Sequence, residues 1–470
     1  LAYALAAALL AGIGLAIWQV TVADRAKQAA VAAAAAEGDA RRDADARTAD
    51  MQAILGFVKK NVFAAARPKN QPGGLGHDVS LRQALDAARG AVGPEFGQQP
   101  LVEAELRITL AESYGYLGEP ALAIEQLERA LALFERLHGP EHHRTLETKT
   151  ELANNVNIVG DYARSARLHE EILEVRRRTL GADDPATLKT INNLALCYES
   201  LGRHERALEL YLEALHRKTT TLGPRHKSTL VTMVNLANVY GRLGQEERAL
   251  ELRESTAALW NEVFGPSDYG TLMCQHNLAN SYRKFRRFEE ALRLDETVLK
   301  QRSAVLGPDH TDSLNSLWSV AKDLIELGRG ADAVPYLDRC LTLSAGKTLH
   351  RNFTEVADLR LRHFEKLRDV GGCRATAELW ERLGRKDVES LYTAARCRAV
   401  AAATFRPDRG SASGSQDSEA DADRAMAWLE KALVAGFMDG SRLARDPDFE
   451  VLHGRIQFWS LLPAMRKQGP

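Results

Sequence analysis

The sequence predicts an all-α solenoid of stacked helical hairpins, and three observations lead to that class. A glycine recurs every 42 residues at Gly139, Gly181, Gly223, Gly265 and Gly307, with Gly97 one step earlier. Other positions keep the same register: Thr145, Thr187, Thr229, Thr271 and Ser313, and Ala153, Ala195, Ala237, Ala279 and Ala321. Within one period, apolar residues fall at helical spacing twice. Ile191, Leu194, Tyr198 and Leu201 form one face, and Ala207, Leu208, Tyr211, Ala214 and Leu215 the next. Strand-forming runs are nearly absent. One hairpin of this kind cannot bury its apolar faces alone, so copies must stack.

Each boundary has a local cause. Gly202 falls between the two helices, where a helix end favours a residue that tolerates a left-handed backbone. Gly-Pro pairs at 139–140, 223–224, 265–266 and 307–308 stop the second helices, because proline lacks the N–H and crowds the preceding turn. Ala195 and Ala207 let two helix backbones approach, and Tyr198 and Tyr211 fill the space they leave. Tyr198, Tyr240 and Tyr282 are expected in the core. His142, His226 and His310 recur three residues after a repeat glycine, with Asp184 and Asp268 in the same place in the intervening copies. A periodic residue just before a helix reads as a capping group rather than a metal ligand.

The stretch L-A-L-C-Y-E-S-L-G-R-H-E-R-A-L-E-L-Y-L-E-A-L, from Leu194, resembles a tetratricopeptide repeat. The 42-residue period with G-P-x-H-x-x-T-L resembles the kinesin-light-chain type, over about Leu101 to Leu343. The resemblance implies a tetratricopeptide (TPR) solenoid wound as a right-handed superhelix, with the first helix of each hairpin lining a concave groove.

In chain order, 1–22 is uncharged, apolar and long enough to cross a bilayer, with Asp24, Arg25 and Lys27 at its exit. The chain begins with Leu1 rather than methionine and reads as the later part of a longer protein. Residues 23–60 read as an alanine-rich, charged helical stalk and 61–78 as a linker marked by R-P-K-N-Q-P-G-G-L-G. The solenoid is expected over 79–345 and degenerate helical repeats over 346–406. A Ser-, Gly- and Asp-rich disordered insertion follows at 407–423, then a C-terminal helical cap at 424–470. This order, with V-S-L-R-Q-A-L-D-A-A at Val79 to Ala88, C-R-A-T-A-E-L-W-E-R-L at Cys373 to Leu383 and S-L-Y-T-A-A-R-C-R-A-V at Ser390 to Val400, resembles the post-membrane half of planctomycete-type serine/threonine kinases. That resemblance implies a single-pass membrane protein with extracytoplasmic repeats. The alternative is a soluble or secreted TPR scaffold whose first residues are a signal sequence.

Composition excludes several functions. The net charge is −1, with both signs interspersed, against the basic stripe expected of a nucleic-acid surface. Five isolated cysteines support neither a disulfide framework nor a C-x-x-C metal site, and read as buried small hydrophobes. The kinase motifs H-R-D, D-F-G and the glycine-rich loop are absent, so no catalytic residue, metal or cofactor is expected in this chain. Function is expected on the first helices. By resemblance to peptide-binding TPR domains, Asn154, Asn238 and Asn280 face the groove, where an amide both donates to and accepts from an extended peptide. Asn192, Arg242, His276, Arg283 and Lys284 flank them. Asn193, Asn235 and Asn277 each precede a core leucine and are expected to bond a neighbouring repeat's loop. The expected partner is a protein or peptide, with the membrane held through 1–22.

Overall fold

The computed structural model describes residues 27–28, 41, 48, 51–67, 71, 74–76, 78–344, 353–404 and 412–466, and among the described residues there is no strand. The chain divides into two compact units, Leu1–Leu210 and Tyr211–Pro470.

In the first unit, a helical segment from residue 51 passes through a π turn at Val58–Val62 and a 3-10 turn at Phe63–Ala66. It is followed by α1 (Leu81–Phe96), α2 (Pro100–Tyr116), α3 (Pro120–His138), α4 (His143–Ile158), α5 (Tyr162–Thr179) and α6 (Pro185–Ser200). From α1 to α6 each helix packs on the next, and α4 also meets α6, so first helices of successive hairpins adjoin. The core runs from Phe57 and Phe96, edge to face at 5.5 Å, through Leu106, Tyr114 and Leu127 to Leu152 and Val156. The end of the expected stalk and the start of the expected linker therefore pack onto the helices that follow: Phe57, Ala64 and Ala65 are buried.

The unit boundary falls within α7 (His204–Thr221). The second unit then builds α8 (Lys227–Arg242), α9 (Glu246–Phe264), α10 (Tyr269–Lys284), α11 (Phe288–Val305), α12 (Thr311–Glu326) and α13 (Gly330–Leu343). Two further hairpins follow, α14 (Phe353–Leu367) with α15 (Val370–Arg382) and α16 (Val388–Thr404) with α17 (Ala412–Val434). The chain then forms α18 (Gly440–Arg445), a 3-10 turn at Pro447–Leu452 and α19 (Ile456–Arg466). Phe437, Leu443, Phe449 and Phe458 close the last hairpin by packing around Tyr392.

The period has a local explanation. Thr145, Thr229, Thr271 and Ser313 each donate a hydroxyl to the carbonyl of the glycine six residues earlier, at 2.7–2.9 Å. Those glycines sit at φ between 86° and 95°, where a side chain would be strained. The capping reading holds at every position: His142, Asp184, His226, Asp268 and His310 are N-caps whose side chains accept a backbone N–H. The histidines accept through Nδ1, which requires the neutral ring. Within the hairpins, Gly118, Gly202, Gly244 and Gly328 take φ of 73–74°, and Arg286 takes the equivalent turn at 58°. Tyr114 and Tyr198 are buried, but Tyr240 and Tyr282 are only half-buried. A phenol needs a partner for its hydroxyl, and Tyr114, Tyr198 and Tyr282 find one in Asp86, Glu170 and Glu254, each 28 residues earlier. All five cysteines are buried thiols.

Two expectations are corrected. The insertion read as disordered over 407–423 is helical from Ala412, and Asp421 and Ala422 are buried. A polar segment of this composition cannot bury itself, but Asp421 accepts from Arg374 and Arg398 of α15 and α16, which neutralise it. The single-pass membrane placement is also withdrawn. Among the described residues no helix is long and apolar enough to cross a membrane, since charged side chains recur along every long helix. The apolar stretch 1–22 lies outside the described residues.

Candidate functional site

In the first unit, the first helices α2, α4 and α6 border a cleft of about 410 Å³. Glu105, Thr109 and Glu112 come from α2, Arg144, Glu147, Glu151 and Asn154 from α4, and Lys189 from α6. Arg144 bridges two of these helices, donating to Glu105 at 3.1 Å and to Glu147 at 3.1 Å. Burial, reinforced by the charge of Glu112, lifts the Glu151 carboxyl above the usual carboxylate range, against the pull of Lys189. Asn154 is half-buried, and its Oδ1 accepts from Asn193 Nδ2 at 3.1 Å. Asn193 thus bonds the preceding repeat, as expected, but through a helix rather than a loop. Asn192 is half-buried beside it.

In the second unit the corresponding helices are α8, α10 and α12. Asn238 is half-buried, and its Oδ1 accepts from Arg253 of α9 at 3.1 Å. Arg253 also donates to Ser281 at 2.5 Å, and burial lowers its pKa. Asn280 is exposed and accepts from Arg283. Arg242 is exposed, and Lys284 is exposed with an ion pair to Glu246 at 2.6 Å.

Arg283 is not a free groove cation. Its side chain is 9% exposed and donates to Asp295 of α11 and to both oxygens of Asp323 of α12, at 3.0 and 3.1 Å. His276 Nδ1 lies 3.5 Å from Asp295 Oδ1. Both aspartates are fully buried. Burial pushes the Asp323 carboxyl up to about 7 against the attraction of Arg283, because two carboxylates share one guanidinium.

The sign of the pH effect follows. The folded value lies above the unfolded one of about 3.9, so folded chain retains a proton that unfolded chain releases. The stabilisation is complete below about pH 4 and is lost as pH rises through about 7. Melting temperature should therefore fall between about pH 4 and 7 in the wild-type chain and level off above that. It should fall much less in Asp323→Asn, which keeps an acceptor for Arg283 without the charge. Parallel profiles for the two chains would refute the assignment.

Sequence reading named Asn193 and Arg283 along with Asn154, Asn238 and Asn280, but missed Arg253, which holds Asn238, and Asp295, which holds Arg283. Arg253 and Asp295 were detectable. They occupy the place of Leu127, His169, Tyr211 and Leu337 in the other repeats, so a charge stands where the period predicts a core residue.

The tetratricopeptide-repeat family model matches residues 102–157, 148–220, 228–301 and 275–345, together about half of the chain. The chain belongs to the tetratricopeptide-repeat family. Its solved structural neighbours include nearly identical TPR-like repeats of a kinesin-light-chain-type protein from Podosopora anserina, 26% identical over 45% of this chain and 100% of that one, at a TM-score of 0.40. BtubC (BKLC) from P. vanneervenii is 21% identical over 48% of this chain and 92% of that one, at 0.43. The apo form of RapI is 14% identical over 56% and 92%, at 0.41. No curated protein matches the sequence. As a TPR protein, the chain is a protein–protein interaction scaffold.

Proposed function

We propose that each unit of this TPR scaffold takes an extended peptide along its own first helices, and that the asparagines there act as backbone-reading donors. One observation carries this reading: Asn154, Asn238 and Asn280 are each held through Oδ1 by a neighbouring donor, Asn193, Arg253 and Arg283. The amide that remains in each is Nδ2, which donates only and suits the carbonyl row of an extended peptide. Held side chains also lose less entropy on binding. In this role Arg283 positions Asn280 rather than meeting ligand, while exposed Arg242 and Lys284 remain candidates for direct contact.

The test is selection of binders from a random peptide library on the chain, followed by Asn238→Ala with Asn280→Ala. Each lost neutral pairing is worth about 0.5–1.5 kcal/mol, so selected peptides should bind the double variant about ten- to a hundredfold more weakly, with the chain still folded. Unchanged affinity in a folded double variant moves the site elsewhere. The tail segments Cys373 to Leu383 and Ser390 to Val400 support a parent protein with a serine/threonine kinase domain ahead of the repeats. The reading frame upstream of Leu1 decides that point.

A further inference from the structure

The C-terminal part of the second unit carries a second cleft, of about 730 Å³, between the α15–α16 turn and one face of α17. Its floor is apolar: Leu391 from α16, Ala427, Trp428 and Val434 from α17, and Ala435 just past the end of α17. The α17 residues, with Lys431, lie at 427, 428, 431 and 434, which is one helical stripe. Val434 is 89% exposed, so an apolar face stands open where a soluble helix normally places polar residues.

The rim is basic. Lys386 and Lys431 are exposed, and neither has a carboxylate partner among the described residues. Arg385 donates to Asp387 at 3.2 Å, and Glu430 is the acidic group in the lining. Lys431 is positioned rather than loose, with Nζ 3.9 Å from the Trp428 ring centre. Trp428 is held in turn. Its Nε1 donates to Glu381 at 2.7 Å, and Glu381 is gripped by two nitrogens of the buried Arg398. The indole floor and its overlying ammonium are thus set before anything binds, which reduces the ordering cost of association.

We infer that this cleft is a docking site for a partner segment that combines bulky apolar side chains with carboxylates, separate from the first-helix groove. The apolar part covers the Ala427, Trp428 and Val434 stripe, and carboxylates pair with Lys386 and Lys431. An acidic partner is chosen over a basic one because the unpaired charges at the rim are lysines, and charge complementarity sets partner choice and encounter rate.

The probe is a short fluorescent peptide of alternating leucine and aspartate, with leucine–lysine and serine–aspartate peptides of equal length as controls. Anisotropy is measured on the whole chain. The leucine–aspartate peptide should bind saturably, and both controls at least about tenfold more weakly. Lys386→Glu with Lys431→Glu should reverse the charge preference. Val434→Asp should abolish binding while leaving the melting curve intact, and Asn238→Ala with Asn280→Ala should leave it unchanged. No saturable binding, equal binding of the lysine peptide, or indifference to the lysine reversal overturns the inference. Sedimentation of the chain alone supplies a further check: self-association abolished by Val434→Asp would assign the face to a second copy and overturn the acidic partner.

Discussion

Replacing Arg398 by alanine is expected to cost about 3–5 kcal/mol, the loss that follows when one member of a buried ion network is removed. The Arg398 side chain is 1% exposed. Its guanidinium forks onto Glu381 at 2.8 and 2.6 Å, and its third nitrogen donates to Asp421 at 2.8 Å. Burial alone would raise the Glu381 carboxyl, but the bonds from Arg398 and Trp428 hold it below the usual range. Alanine would leave that carboxylate with the indole N–H alone and Asp421 with Arg374 alone, both poorly hydrated. Arg398→Lys keeps the charge and loses the fork, so it should fall between alanine and wild type. Denaturant unfolding read by tryptophan fluorescence checks both, because Trp380 and Trp428 report on this region. A loss below about 1 kcal/mol for the alanine variant would show that water replaces the network. The variant should also free Trp428, linking this core to the cleft above it.

Trp260→Ala should cost a similar amount, about 3–5 kcal/mol, as truncations of large buried aromatics do. Trp260 is 2% exposed, and its Nε1 donates to Asp268 at 2.8 Å, the N-cap of the next helix. Its place belongs to Phe134 in one other repeat and to Arg176, Lys218 and Arg302 in three, which donate to Thr190, Thr232 and Ser316. An indole is bulkier there, and the partner helix makes room with Gly270. A Cβ on Gly270 would lie 2.3 Å from the indole ring. Gly270→Ala should therefore destabilise the wild-type chain by about 1–3 kcal/mol, as overpacking does. In the Trp260→Ala background the same change should cost almost nothing, because alanine is the better helix former. The double-mutant cycle measures this coupling directly. Additive losses would mean that the indole has room to move aside.

Both effects concern features that the repeat register points to without explaining. Gly270 stands where other copies have Arg144, Ala186, Ser228 and Asp312, and Trp260 stands where three copies carry a cation. The sequence marks each as a departure from the period. Only the packed structure makes them one event, since the clash is between side chain and backbone of successive helices.

The hairpins, their caps and their 42-residue period were legible from the chain alone, because each rests on local bonds. A threonine reaches a glycine carbonyl six residues back, and a cap reaches an N–H two or three residues on. The start of α17 was not legible in this way. There Asp421 needed arginines 47 and 23 residues away to become a core residue. The candidate residues on the first helices divide in the same way. Placing Asn154, Asn238 and Asn280 on the first helices needed only periodicity. Deciding that Arg283 is a buried clamp needed Asp295 and Asp323, 12 and 40 residues further on. A charge is free or spent according to what faces it across a helix interface, and sequence spacing within one helix carries no record of that.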